Sequence, residues 1–327
     1  MLGFSRQEAH IRTILRLLAL VAVGGCASDA VVPTPAPVAE STGALSFMTA
    51  GSLQRGANGR FFMSDGPAGI SGELRFPEGK GPFPAIVLAH GCNGNRSVER
   101  TWGQVLRGWG YATFNVDSFR GRGISEVCTQ IGVLVPLQRV PDAYGALRLL
   151  AAHPRIDPAR IALMGFSHGG ALTMLASTAW AKETYAPRGA PSFRAFIPFY
   201  PNCNGVFPER DRVAAPVRIH TGEADDWTPA RPCAELAASL KAAGQDVAIT
   251  VYPGAHHAFD QAPPREIYLP KVNNGSACFP QLTSILGPTS PGSVAGCLKK
   301  GATIAGNPAA ADQARKNLRV QLDQLMR

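Results

Sequence analysis

From about Ser71 onward, short unbroken apolar runs alternate with longer stretches whose apolar positions recur every three or four residues. The runs Glu73–Phe76, Ala85–Ala89, Ala112–Val116, Ile161–Met164, Ala195–Phe199, Val217–His220 and Ala248–Val251 predict strands. Most lack polar alternation, which is how strands buried on both faces read. The stretches Ser97–Gly108, Asp142–Ala152, Gly169–Ala179, Pro232–Ala243 and Ala309–Met326 predict helices. Asp142, after Pro141, is the expected N-cap of the second. The last carries Ala314, Leu318, Leu322 and Leu325 as an apolar face among charges. This alternation predicts the α/β class, with a mostly parallel central sheet and helices on both faces.

Two segments depart from the pattern. Residues 263–308 are rich in Gly, Pro, Asn and Ser and contain Cys278 and Cys297. A structureless run of that length is unusual inside a domain, so an insertion partly stapled by a Cys278–Cys297 bridge is expected. At the N-terminus, Arg6, Arg12 and Arg16 precede the apolar run Leu17–Val23 and then Gly24-Gly25-Cys26. These are the parts of a secretory signal, with an apolar run too short to span a bilayer. Val23-Gly24-Gly25-Cys26 resembles a bacterial lipobox, which would make Cys26 the lipidated first residue of the mature chain. Cleavage after Ala27 is the rival reading. The Pro-rich stretch Val32–Pro37 then suits a stiff tether. Ala27, rather than Asp, follows the cysteine, which by resemblance to lipoprotein sorting favours the outer membrane. The expected organisation is a signal at 1–25, a tether at 26–44 and one domain at 45–327, in the periplasm or on the outer membrane.

Export changes how the composition reads. The chain has 327 residues, 45% hydrophobic and 17% charged, which excludes a disordered chain. Losing three arginines and Glu8 with the signal lowers the formal charge from +9 to +7, spread without basic blocks, so no nucleic-acid partner is expected. Under either reading Cys26 leaves the pool, and six of the seven cysteines remain in an oxidising compartment, where an even number reads as disulfides. Six cysteines allow about fifteen pairings. Cys92 and Cys128 flank loops after two early strands, and Cys203 and Cys233 follow consecutive late ones. Bridges Cys92–Cys128 and Cys203–Cys233 are expected beside Cys278–Cys297.

The strongest chemical signal is Gly165-Phe166-Ser167-His168-Gly169, between a predicted strand and a predicted helix. G-x-S-x-G in that setting is a nucleophile elbow, with glycines that let strand and helix approach and a helix N-terminus beneath the serine. A serine hydroxyl needs a base to remove its proton and an acid to orient that base. Two downstream loops offer them: Thr221-Gly222-Glu223-Ala224-Asp225-Asp226-Trp227-Thr228-Pro229 and Tyr252-Pro253-Gly254-Ala255-His256-His257-Ala258-Phe259-Asp260. The backbone N–H of His168, directly after the nucleophile, is the expected oxyanion donor.

Ala89-His90-Gly91, the Gly165-x-Ser-x-Gly elbow, a Gly-x-x-Asp-x-x-x-Pro loop and a Tyr-Pro…His-x-Phe loop, in this order, resemble the dienelactone hydrolase family of α/β-hydrolases. The resemblance runs from about Gly72 to the C-terminus and is weakest over 263–308. It implies the α/β-hydrolase fold, Asp225 as the acid, His257 as the base, and the backbone N–H of Cys92 as the second oxyanion donor. Asp226 and His256 are the alternatives. It also implies a small ester or lactone substrate and no cofactor; the scattered His90, His153 and His220 suggest no metal. The chain departs from the best-known members in carrying Ser167 where they have cysteine, Gly91 where they have glutamate, and Gln261 where they have a carboxylate-binding arginine. These differences point to a serine esterase of the same lineage. Arg120 and Arg122, in Asp117-Ser118-Phe119-Arg120-Gly121-Arg122-Gly123, are candidates to grip a substrate carboxylate or to shape a turn. Trp227, in the acid loop, is a further candidate substrate contact. A peptidase or amidase of the same fold, and a non-catalytic envelope lipoprotein that uses the fold for binding, are the alternative functions.

Overall fold

Strands with apolar side chains on both faces are stable only when both faces are covered, and the chain arranges this with a sheet between two helical layers. The computed structural model describes residues 42–64, 66–95, 99–287 and 296–327. The expected signal, Cys26 and residues 26–41 of the expected tether lie outside them. In chain order the strands are β1 (Gly43–Met48), β2 (Ser52–Arg55), β3 (Phe61–Ser64), β4 (Gly69–Arg75), β5 (Phe83–Ala89) and β6 (Ala112–Asp117). They continue with β7 (Ile156–Phe166), β8 (Ala195–Phe199), β9 (Val217–Gly222), β10 (Val247–Tyr252), β11 (Ile267–Asn274) and β12 (Lys299–Ile304). The helices are α1 (Gln104–Gly108), α2 (Val140–Ala151), α3 (His168–Ala176), α4 (Ala179–Tyr185), α5 (Ala230–Ala242) and α6 (Pro308–Leu325).

The main sheet runs in the order β1-β4-β6-β5-β7-β8-β9-β10. From β6 to β10 every pairing is parallel, and β4 joins β1 and β6 antiparallel. Side chains alternate between two cores with the strand period of two. Ala85, Val87, Ile161, Leu163 and Phe196 pack with α2, α3 and α5. Ile86, Leu88, Ala162, Met164 and Ile197 pack with Trp102, Leu106 and the Leu318/Leu322 face of α6.

Several expectations change. Asp142 does not cap α2. It lies buried in the first turn, and its carboxylate binds Arg122. The helix expected over 169–179 stops at Ala176, where the Ser177 and Thr178 hydroxyls donate back to the Met174 and Leu175 carbonyls. Thr178 then caps α4 by accepting from the Ala181 N–H. Within segment 263–308, β11 and β12 pair antiparallel, two strands that the strand pattern did not include. The first strand begins at Gly43, inside the segment read as tether.

Candidate active site

Strand order reverses between β5 and β7, and chains leaving neighbouring carboxyl ends there open a crevice. β7 ends at Phe166 and α3 begins at His168, so Ser167 alone turns the chain. It does so at φ 54°, ψ −113°, a strained region that costs a non-glycine residue about 1–3 kcal/mol. The flanking glycines make the turn feasible. A Cβ on Gly165 would lie 2.1 Å from the Gly169 carbonyl oxygen, and one on Gly169 would lie 2.1 Å from that of Ala89.

The loops after β9 and β10 bring two more side chains to this turn. His257 Nε2 is 2.9 Å from Ser167 Oγ, and His257 Nδ1 is 2.8 Å from Asp225 Oδ2. Asp225 is buried, and its Oδ1 accepts from the backbone N–H groups of Trp227 (2.9 Å) and Thr228 (2.7 Å). A carboxylate at Nδ1 holds the ring proton there and leaves Nε2 as an acceptor for a serine hydroxyl. The Thr228 hydroxyl lies 2.9 Å from Asp225 Oδ2, 3.0 Å from the Tyr200 carbonyl and 3.0 Å from His257 Nδ1. Its single proton can serve one of the two oxygens at a time.

The adjacent acid and histidine have other work. Asp226 Oδ1 accepts from the Thr303 N–H, which ties the acid loop to β12; it is Asp225 that caps the turn. His256 Nε2 faces Glu266 at 3.5 Å.

Cys92 and His168 line the same cavity as Ser167, and the backbone N–H of each has no acceptor among the described residues. Behind them lies a fully buried cation. Arg139 Nη1 donates to the His90 carbonyl (3.0 Å) and to His168 Nδ1 (2.8 Å), joining the loop after β5 to the start of α3. Burial brings its guanidinium down to about 10, so it stays charged at neutral pH. Burial, and then the Arg139 charge, hold His90 and His168 well below the usual histidine range. Both are therefore neutral supports: His168 passes its Nε2–H to the Leu134 carbonyl at 2.9 Å, and His90 Nε2 accepts from the Ser118 N–H at 3.3 Å.

On the other side, the Tyr200 ring packs edge-on against His257 at 4.8 Å. Its hydroxyl donates to Asp260 Oδ1 at 2.9 Å, and Trp102 Nε1 donates to Asp260 Oδ2 at 2.5 Å. Gln261 Nε2 donates to the same tyrosine hydroxyl at 2.8 Å. Among the described residues the non-glycine positive φ angles fall at Ser167, Tyr200 and Ala258, all at this site.

The remaining candidates separate. Trp227 lines the cavity, with its ring 4.8 Å from that of His257. Arg122 does not face the cavity, because its guanidinium grips Asp142 through two 2.8 Å bonds and also donates to the Ser118 carbonyl. Arg120 is exposed beside a separate cleft, and its backbone N–H completes the turn on Asp117 Oδ1. The cysteines form bridges Cys92–Cys128, Cys203–Cys233 and Cys278–Cys297. Three disulfides mark a protein that folds in an oxidising compartment after export. No helix among the described residues is long and apolar enough to cross a membrane.

Sequence reasoning missed Thr228, Arg139, Tyr200 and Asp260. Arg139 had a signal, a lone cation closing the mostly apolar run Ile131–Gln138. Tyr200 had none, since its role depends on which ring it meets.

Comparison with known proteins agrees with this architecture. A Bradyrhizobium sp. protein named "Probable 2-oxo-3-(5-oxofuran-2-ylidene)propanoate lactonase" is 22% identical over 208 residues, covering 59% of this chain and 82% of that protein. Esterase EstD of Thermotoga maritima is 30% identical over 111 residues, 32% of this chain, and the match spans only 26% of that esterase. A dienelactone hydrolase-like promiscuous phosphotriesterase from metagenomic libraries superposes with a TM-score of 0.55 at 16% identity, over 87% of this chain and all of that one. The family model for dienelactone hydrolases matches residues 70–277. With the α/β-hydrolase fold and a match over most of its length, the chain belongs to the dienelactone hydrolase family.

Proposed function

We propose that the protein is a serine hydrolase of carboxylic esters or lactones. The observation that carries this reading is the continuous relay Ser167 Oγ–His257–Asp225, with contacts of 2.9 and 2.8 Å. Ser167 Oγ attacks the carbonyl carbon while its proton moves to His257 Nε2. Asp225 keeps the imidazole oriented and stabilises its charged form. The N–H groups of Cys92 and His168 hold the oxyanion, each worth roughly two to three orders of magnitude in rate. Collapse breaks the C–O bond, and His257 returns the proton to the leaving alkoxide. Water, deprotonated by the same imidazole, then attacks the acyl-serine. The carboxylic acid leaves and Ser167 regains its proton. We further propose that lipid on Cys26 holds the enzyme at the outer membrane, facing the periplasm; metabolic labelling with a radioactive fatty acid, lost in Cys26→Ala, tests this.

A Ser167→Ala variant is expected to lose at least a thousandfold in kcat on p-nitrophenyl acetate while keeping its melting temperature. Full activity in that variant would remove the mechanism.

A further inference from the structure

The cavity that holds Ser167 extends well past the serine. It encloses about 380 Å³ and follows one face of α3, with Ser167, Ala171, Met174, Leu175 and Thr178 at helical spacing along it. Ser167 to Leu175 covers eight residues, or about 12 Å of helix, the length of an extended chain of roughly nine carbons. Phe207 and Leu282 line the cavity from two loops. Met174 and Leu175 remain partly exposed although the rest of α3 is buried, because they face this space.

His257 meets the cavity at its serine end, beside Trp227 and Thr228, and the stretch lined by Ala171, Met174 and Leu175 leads away from Ser167 along the helix. The leaving oxygen must reach His257 Nε2 to be protonated, so the alcohol lies on the histidine's side. What stays on the serine then has the stretch along Ala171, Met174 and Leu175 to occupy. We infer that this cavity is an acyl-chain site, and that the substrates are esters of apolar acids of about six to ten carbons with a small alcohol. The inference rests on the ester-hydrolase reading and adds the substrate class to it. The wall is also braced: Cys92, Cys203 and Cys278 all line it, one from each disulfide. A stiff wall gives a sharp length limit rather than a gradual one.

The test uses two ester series on the oxidised protein. With p-nitrophenyl esters from acetate to hexadecanoate, kcat/KM is expected to rise about fourfold per added methylene until the cavity is full and to fall beyond about ten carbons. With acetates of lengthening alcohols it is expected to stay within a few fold. Leu282→Trp, on the outer loop, and Met174→Phe, on the helix, are each expected to lower the decanoate-to-butyrate ratio at least tenfold. Two variants on different elements guard against one failing to fold. Fluorophosphonate labelling of Ser167 separates the failures. A labelled enzyme with a flat acyl profile, or one whose rate grows with the alcohol instead, overturns the acyl site and leaves the hydrolase reading standing. A protein neither labelled nor active on any ester overturns both.

Discussion

At the scale of single residues, the site depends on side chains that never touch substrate. The Thr228 hydroxyl sits where Asp225, His257 and the Tyr200 carbonyl meet. Thr228→Val leaves buried acceptors unpaired, so kcat is expected to fall about tenfold, with a stability loss of about 1–3 kcal/mol that Thr228→Ser restores. Equal steady-state kinetics for the valine and serine variants would show that the hydroxyl plays no part. Arg139 joins the two loops that offer N–H groups to the cavity, so Arg139→Met is expected to lower kcat ten- to a hundredfold with little change in KM. His220 makes a separate prediction about stability. Burial against Phe199 lowers it to about 4, while an unfolded histidine titrates near 6.5. Between those values the unfolded chain binds a proton that the folded chain refuses. Its contribution, about 3 kcal/mol, is present above pH 6.5 and is lost as pH falls toward 4. Urea midpoints should therefore fall steadily from pH 7 to pH 4.5, with His90 and His168 acting in the same direction. A flat profile would mean that these histidines are not held neutral.

At the scale of elements, the strand-and-helix rhythm was legible because buried parallel strands leave uninterrupted apolar runs. Five of the seven predicted strands match both observed limits to within two residues, Ala195–Phe199 among them coinciding. The elbow was legible because its glycines are a steric requirement. Gly169→Ala would drive a methyl into the Ala89 carbonyl, prising α3 off β5, and is expected to cost about 3 kcal/mol in urea denaturation together with most of the activity. What could not be read is the ribbon of β11 and β12, whose order comes from distant contacts. Trp227 Nε1 donates to the Asn273 carbonyl, Asn274 Nδ2 to the Asp226 carbonyl, and the Thr303 N–H to Asp226 Oδ1. The Asn273 N–H donates to the Cys128 carbonyl as well. The ribbon thus clasps the acid loop to the loop that carries Cys128. Polar sequence with glycine and asparagine hides such a role, because the partners lie some fifty to a hundred and forty residues away. The Asp142 cap failed for a related reason, since only the fold shows that Arg122 waits opposite.

For the whole molecule, the disulfides connect export to the site. Bridges separated by 36, 30 and 19 residues each stabilise by roughly 3–4 kcal/mol in the chain-entropy model. Verified reduction is expected to lower the melting temperature and to blunt acyl-length discrimination more than it lowers acetate hydrolysis. Unchanged length selectivity in the reduced enzyme would show that the bridges do not shape the wall. The catalytic proposal itself draws one residue from each of three loops at the carboxyl edge of one sheet, and its central claim is that Ser167 carries the acyl group. The most direct test is acid quenching of the enzyme during turnover of p-nitrophenyl butyrate, followed by peptide mapping by mass spectrometry. A butyryl adduct on Ser167, absent from the Ser167→Ala protein, is the expected result; turnover with no adduct there, or with the adduct on another residue, would contradict it.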